Sequence, residues 1–254
     1  DSQDTTFKVS EMAKKLKFPL QCIGIPKTVD NDLPYTDCSP GFGSVAKYVA
    51  TSTLEAGLDV KSMAETSTKV FILEVMGRHA GWIAAASCLA ASNQGDPPHI
   101  ILLPEVPFEK GKFIAQVKQT VKSNGYCVIV ASEGTKTKAG KFLADSGLTD
   151  AFGHKQLGGV APVISSMISK IGLKNHWAVA DYLQRSARHI ASKTDLDQAY
   201  AVGEHAVKLA VAGKTAVMPI IKRISDSPYK WKIATAPLKN IANVEKSMPR
   251  KFIS

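Results

Sequence analysis

Val70-Phe71-Ile72-Leu73-Glu74-Val75, with Met76-Gly77-Arg78 directly after it, is the stretch on which the fold turns. A short run dominated by apolar, largely β-favouring residues reads as a buried strand. Around it, short apolar runs alternate with longer amphipathic ones. Apolar spacing and stop signals predict helices over 4–16, 42–57, 80–92, 111–123, 159–171 and 195–212, and strands over 19–25, 99–103, 126–131 and 176–180. This alternation runs nearly end to end and predicts an α/β fold around a mainly parallel sheet. Residues 133–153, rich in Gly, Thr, Lys and Asp, are expected to form a surface connection.

The 254 residues are 44% hydrophobic and 21% charged, which is enough apolar material for a real core. A net charge of +10 favours anionic partners. The lysines and arginines are spread along the chain, without a polybasic run or basic residues interleaved with aromatics, so no nucleic-acid groove is expected. Cys22, Cys38, Cys88 and Cys127 are widely spaced and include no C-x-x-C pair, which speaks against a zinc site or a disulfide framework. With no apolar run near the roughly 18 residues a membrane span needs, and no signal-peptide pattern, a cytoplasmic protein is expected.

Gly24-Ile25-Pro26-Lys27-Thr28-Val29-Asp30-Asn31-Asp32 follows an apolar run and carries the most chemistry. Loops at the carboxyl ends of strands are where open α/β sheets bind ligands. Two like charges about 4 Å apart repel by roughly 4 kcal/mol at an effective dielectric near 20, a strain that a divalent cation relieves. An Asp/Asn-rich turn with ordinary side-chain caps has the same composition, so the order of the residues has to decide. No G-x-G-x-x-G or P-loop fingerprint is present; the nearest glycine cluster, Gly41-Phe42-Gly43-Ser44, is weak.

That order is informative. Thr28-Val29-Asp30-Asn31-Asp32 resembles the T-[IV]-D-N-D signature of the phosphofructokinase family, and Val75-Met76-Gly77-Arg78-His79-Ala80-Gly81-Trp82 resembles its M-G-R motif. Asp181-Tyr182-Leu183-Gln184-Arg185 is similar to the family's sugar-phosphate segment, and Ala131-Ser132-Glu133-Gly134 to its strand-end glutamate. The resemblance implies a three-layer, Rossmann-like fold with two lobes. The expected lobes are residues 1–135 for the phosphoryl donor and 136–254 for the sugar phosphate, with some chain crossing between them.

Carried over residue by residue, the resemblance implies that Asp30 takes the proton of the sugar 1-hydroxyl, a task that suits a carboxylate within hydrogen-bond reach. Thr28 would bind the transferring phosphoryl group and Asp32 would help hold magnesium. Arg78 would neutralise charge near the reacting phosphorus, while Met76 and Gly77 bring backbone close to the sugar. Glu133 would accept from sugar hydroxyls. Tyr182 and Arg185 would hold the 6-phosphate, where a guanidinium fork matches phosphate oxygens. Lys69 stands where many ATP-using members place an arginine that reaches a neighbouring subunit's sugar phosphate.

Lys27 and Asp1 stand where ATP-using members usually have glycine, and both are similar to the pyrophosphate-using branch. Their side chains would fill the space that the α-phosphate and nucleoside of ATP require. The expected reaction is therefore reversible, magnesium-dependent transfer from pyrophosphate to fructose 6-phosphate by a homodimer or homotetramer. An ATP-dependent enzyme of the same family and a non-catalytic, sugar-phosphate-binding subunit are the alternatives. The chain opens Asp1-Ser2-Gln3-Asp4, and on the resemblance the family's glycine-rich first strand and loop are expected to be missing.

Overall fold

In chain order the elements are α1 (Ser2–Lys15), α2 (Phe42–Met63), β1 (Val70–Val75), α3 (Trp82–Ala86), β2 (Ile100–Leu102), α4 (Lys110–Asn124) and β3 (Cys127–Ser132). There follow β4 (Asp145–Thr149), β5 (Lys155–Leu157), α5 (Val160–Ser169), β6 (Asn175–Val179), α6 (Leu183–Ser186), α7 (Lys193–Val211), β7 (Val217–Asp226) and β8 (Tyr229–Pro237). The structure is a computed structural model that describes residues 2–149 and 155–253. The chain divides into two compact units: Asp1–Ser44 with Ala191–Lys246, and Val45–Ile190 with Ser247–Ser254.

The second unit is built on a parallel sheet of order β2-β3-β1-β6. Side chains alternate across it as the pleat requires. Val70, Ile72, Ile129 and Ala131 pack against Phe113 and Val117 of α4 and Ile164 and Ile168 of α5. Phe71 and Val128 meet Val60 of α2, with Ala64 and Tyr126, in a separate cluster. Helices thus cover both faces, which is why β1 and β3 read as continuous apolar runs, and the unit has three layers. Gly125 ends α4 in the left-handed region at φ 82°, donating its N–H to Val121 at 2.9 Å. Glu74, the one charged residue of β1, is buried and accepts the amides of Gly159 (2.9 Å) and Ala161 (2.8 Å) at the start of α5. Donors that the helix leaves unmatched are satisfied there. Burial nevertheless pushes the Glu74 carboxyl above its ordinary pKa.

The first unit holds α1, α7 and the antiparallel pair β7–β8. Met218, Ile220, Ala236, Leu238 and Ile241 form its core, with Phe7 and Leu33 against them. Ser192 caps α7, its hydroxyl accepting the Asp195 amide.

Two expectations need amending, and one hairpin was not anticipated. Residues 19–25 form only an isolated bridge, Ile23 to Val217, because Pro19 and Pro26 at either end of the run supply no amide donor. The β7–β8 hairpin had no clean strand signal: Met218–Ile221 is buried throughout, Lys222 and Arg223 are exposed, and Pro219 lacks a donor. Residues 133–153 are more than a connection, since β4 pairs with β5; residues 150–154 lie outside the described part. Residues 135 and 136 both lie within the second compact unit, in which β3 and β6 each pair with β1.

Among the described residues no helix is long and apolar enough to cross a membrane.

Candidate active site

Three neighbouring strands of the parallel sheet, β3, β1 and β6, lead at their carboxyl ends into segments that the sequence singles out. They are Glu133-Gly134 after β3, Met76-Gly77-Arg78 after β1 and Asp181 to Arg185 after β6. This is the edge at which open parallel sheets place their ligands. The backbone there is bent sharply, with Gly77 at φ 138°, Arg78 at φ 39° and Asp181 at φ 37°.

Side chains hold these bends together. The Arg78 amide donates to Glu133 Oε1 at 3.3 Å, and the Glu133 amide donates to the Val75 carbonyl at 2.9 Å. Gln184, only 2% exposed, accepts the Met76 amide at 3.4 Å and donates to the Asp181 carbonyl at 2.9 Å. The loop after β1 and the loop after β6 are thereby tied to one side chain. Arg185 lies over the Tyr182 ring at 4.0 Å, a cation–π contact that orients the guanidinium. Arg78, Tyr182 and Arg185 are exposed, so two guanidinium groups and a phenol are available to an anionic ligand.

In the first unit the loop 27–32 is shaped mostly from within. Thr28 bridges to Gly41, and its hydroxyl accepts the Asp30 amide at 3.1 Å. The same hydroxyl keeps its proton to donate to a ligand oxygen. Asn31 lies in the left-handed region at φ 55° and is 2% exposed; its Oδ1 accepts the Ser39 amide at 3.0 Å. Lys27 is exposed, and Asp30 and Asp32 are half-buried. Asp195, 6% exposed, accepts the amides of Gly41 (2.9 Å) and Ser44 (3.2 Å) and the Ser44 hydroxyl (2.6 Å). Two charged groups back this loop. The Lys246 ammonium donates to Asn31 Oδ1 (3.2 Å) and to the carbonyls of Thr36 and Asp37 (both 2.9 Å), and burial pulls its pKa below the ordinary lysine value. The Asp37 carboxylate accepts from Arg223 Nε at 3.0 Å and from the Tyr229 hydroxyl at 2.9 Å. Burial pushes the Tyr229 phenol up to about 12 and the neighbouring Cys38 thiol to about 11.

The expected site residues therefore fall into two groups. Lys27, Thr28, Asp30 and Asp32 belong to the first unit; Met76, Gly77, Arg78, Glu133, Tyr182 and Arg185 belong to the second. Lys69 directly precedes β1, at the end opposite Met76–Arg78, its ammonium donating to the carbonyls of Ala64 and Glu65 just past the end of α2. Asp1 lies outside the described residues. Asn31, Gln184, Asp195 and Lys246 received no role from the sequence. Asn31 had a usable signal, since it tolerates the left-handed region better than most residues. Gln184 sits inside a quoted motif, whereas Lys246 looks like any solvated lysine.

Among the described residues no group of three or more His, Cys, Asp or Glu side chains is placed to hold a metal ion by itself. Magnesium seldom asks for such a cage: one or two carboxylates, substrate phosphate oxygens and waters are its usual set. The two carboxylates of Asp30 and Asp32, two positions apart on one half-buried loop, fit that mode.

The phosphofructokinase family model matches residues 2–210, and the chain belongs to that family. It is 65% identical over its whole length to a protein of Halomonas elongata named pyrophosphate–fructose 6-phosphate 1-phosphotransferase, and 59% identical to one of the same name from Methylococcus capsulatus. It spans 61% of the length of each. The crystal structure of a pyrophosphate-dependent phosphofructokinase from Marinobacter aquaeolei superimposes with a TM-score of 0.89 at 58% identity, covering 100% of this chain and 60% of the other.

Proposed function

We propose that this chain carries the phosphoryl-transfer centre of a pyrophosphate-dependent phosphofructokinase, acting in glycolysis on fructose 6-phosphate. The observation that carries the reading is the delivery of Met76–Arg78, Glu133 and Tyr182–Arg185 by three adjacent parallel strands to one sheet edge. The names of the relatives that match this chain from end to end support the choice of donor.

In the proposed reaction the sugar 1-hydroxyl oxygen attacks a phosphorus of pyrophosphate. Its proton passes to the Asp30 carboxylate, the bridging P–O bond breaks, and inorganic phosphate leaves with fructose 1,6-bisphosphate as the other product. Thr28 donates its hydroxyl proton to the transferring group, and Arg78 offsets the charge that develops on the equatorial oxygens. Met76 and Gly77 present backbone to the sugar, Glu133 accepts from its hydroxyls, and Tyr182 and Arg185 hold its 6-phosphate. Lys27 offers an ammonium to the diphosphate and, with Asp1, fills the room adenosine would need. Magnesium, held by Asp32 and the diphosphate oxygens, would supply charge neutralisation. Lys69 could reach a sugar phosphate of a neighbouring subunit only by giving up its two carbonyl partners. Assembly as a homodimer or homotetramer and a cytoplasmic location belong to the same proposal.

A coupled assay of the full-length protein with fructose 6-phosphate and magnesium tests it, with pyrophosphate and ATP compared as donors. Turnover with pyrophosphate is expected, and Asp30→Ala should lose about 10²–10⁴-fold, the range for a positioned general base. Turnover with ATP instead would overturn the donor. Sugar-phosphate binding without turnover from either donor would make the chain part of a non-catalytic subunit.

A further inference from the structure

Lys246 grips the loop that carries Asp30 and Asp32 at four points. Its own amide donates to the Asp32 carbonyl at 2.6 Å. Its ammonium donates to Asn31 Oδ1 at 3.2 Å and to the Thr36 and Asp37 carbonyls at 2.9 Å each. Three oxygens thus answer the three donors of an ammonium group. Asn31 closes the arrangement, because Oδ1 takes the Ser39 amide on one lone pair and Lys246 on the other.

Asn31 separates the two aspartates, and its φ of 55° sets the direction in which each leaves the turn. A left-handed, non-glycine residue persists only where its surroundings over-determine it. A buried charge is weak evidence for stability, since apolar replacements of similar volume are often neutral or better. Lys246 secures a particular geometry instead. Cys38, Asp37 and Asp32 act electrostatically on its ammonium, which donates to the Asn31 amide oxygen and to two backbone carbonyls.

We propose that Lys246 is a positioning residue for the phosphoryl-transfer loop: acting through Asn31, it fixes the turn that aims the Asp30 carboxylate. The assignment rests on the role proposed for Asp30. The Lys246 ammonium holds the residue between the two acids.

The test uses the full-length protein and three readouts. Lys246→Met should lower kcat about 100-fold, the penalty of misplacing a reacting group by roughly 1 Å, while leaving the KM for fructose 6-phosphate unchanged. In an Asp30→Asn background the same substitution should cost nothing further, because no base remains to be aimed. Hydrogen exchange should quicken in peptides covering 28–39 and stay unchanged in those covering 70–75. Wild-type kcat in Lys246→Met, an equal loss in both backgrounds, or unchanged exchange at 28–39 would each overturn the assignment. Exchange that quickens equally in both regions would overturn it too, by making Lys246 a general stabiliser. Asn31→Ala removes the shared contact from the other side and carries the same readouts if Lys246→Met yields no folded protein. Absence of pyrophosphate turnover in the wild type would instead be a failure of the proposed function, and the exchange comparison then decides the assignment alone.

Discussion

Gly134 approaches Arg78 so closely that a Cβ built on the glycine would lie 1.4 Å from the Arg78 carbonyl oxygen. The obstacle is backbone, which cannot rotate away as a side-chain tip can. Arg78 is itself held at φ 39°, next to Gly77 at φ 138°, so the loop has little conformational freedom with which to retreat. Gly134→Ala should therefore shift Arg78 and lower kcat about 100-fold, in line with a displacement near 1 Å. Overpacking should also destabilise the fold by about 1–3 kcal/mol. Steady-state kinetics alongside urea unfolding check both, and an alanine variant with wild-type kcat would show that this approach does not set the guanidinium.

Gln184 offers a test that needs no new bulk. Gln184→Leu keeps the approximate shape but leaves the Met76 amide and the Asp181 carbonyl without a side-chain partner. Both groups are only partly buried, so each orphan should cost about 1 kcal/mol, the lower end for a lost partner. Because the two groups begin the loops carrying Arg78 and Tyr182–Arg185, the KM for fructose 6-phosphate should rise along with the loss of stability. A fall in urea midpoint with an unaltered KM would confine Gln184 to a structural role.

These two relationships mark the limit of what the sequence made legible. The strands of the parallel sheet could be read because both faces are covered: Val70–Val75 and Cys127–Ser132 need apolar side chains almost throughout, and little else produces such runs. The candidate loops could be read because charged and polar groups recur there in a specific order. What holds the loops in place left no comparable trace. Lys246 meets Asn31 across 215 residues, and Gln184 meets Met76 across 108. No local periodicity encodes such pairings. The β7–β8 hairpin was missed for another reason: Met218–Ile221 is buried on successive residues where a half-exposed strand would alternate.

His99 predicts an acid limb in the stability of the protein. Its Nδ1 accepts the Val128 amide at 2.9 Å, and burial lowers its pKa below the ordinary 6.5. The sign follows from which state binds the proton first. Above pH 6.5 the imidazole is neutral in both states and folding incurs no penalty. As the pH falls below 6.5 the unfolded chain takes up the proton before the folded one, so stability declines until the folded imidazole is protonated as well. Urea midpoints measured from pH 7.5 downward should fall on the acid side of 6.5. His99→Asn can still offer an acceptor to Val128 but does not titrate, so it should flatten that limb; an equally steep limb in the variant would assign it to other groups.

Lys27 carries the last prediction, which concerns the choice of donor. It is exposed, directly precedes Thr28, and in the proposed reaction meets a diphosphate oxygen. A hydrogen bond to a charged group is worth about 1.5–3 kcal/mol, so Lys27→Gly should raise the KM for pyrophosphate about 10-fold or more, since each 1.4 kcal/mol is a factor of ten. The KM for fructose 6-phosphate should hold, because the groups proposed to bind the sugar ring and its 6-phosphate, Glu133, Tyr182 and Arg185 among them, lie in the other unit. If bulk at this position also excludes a nucleotide, turnover with ATP should rise in the variant while turnover with pyrophosphate falls. Measuring both donors separates the two effects: weaker pyrophosphate use with no gain for ATP leaves Lys27 as a charge contact only, and unchanged kinetics with both would remove it from the donor site.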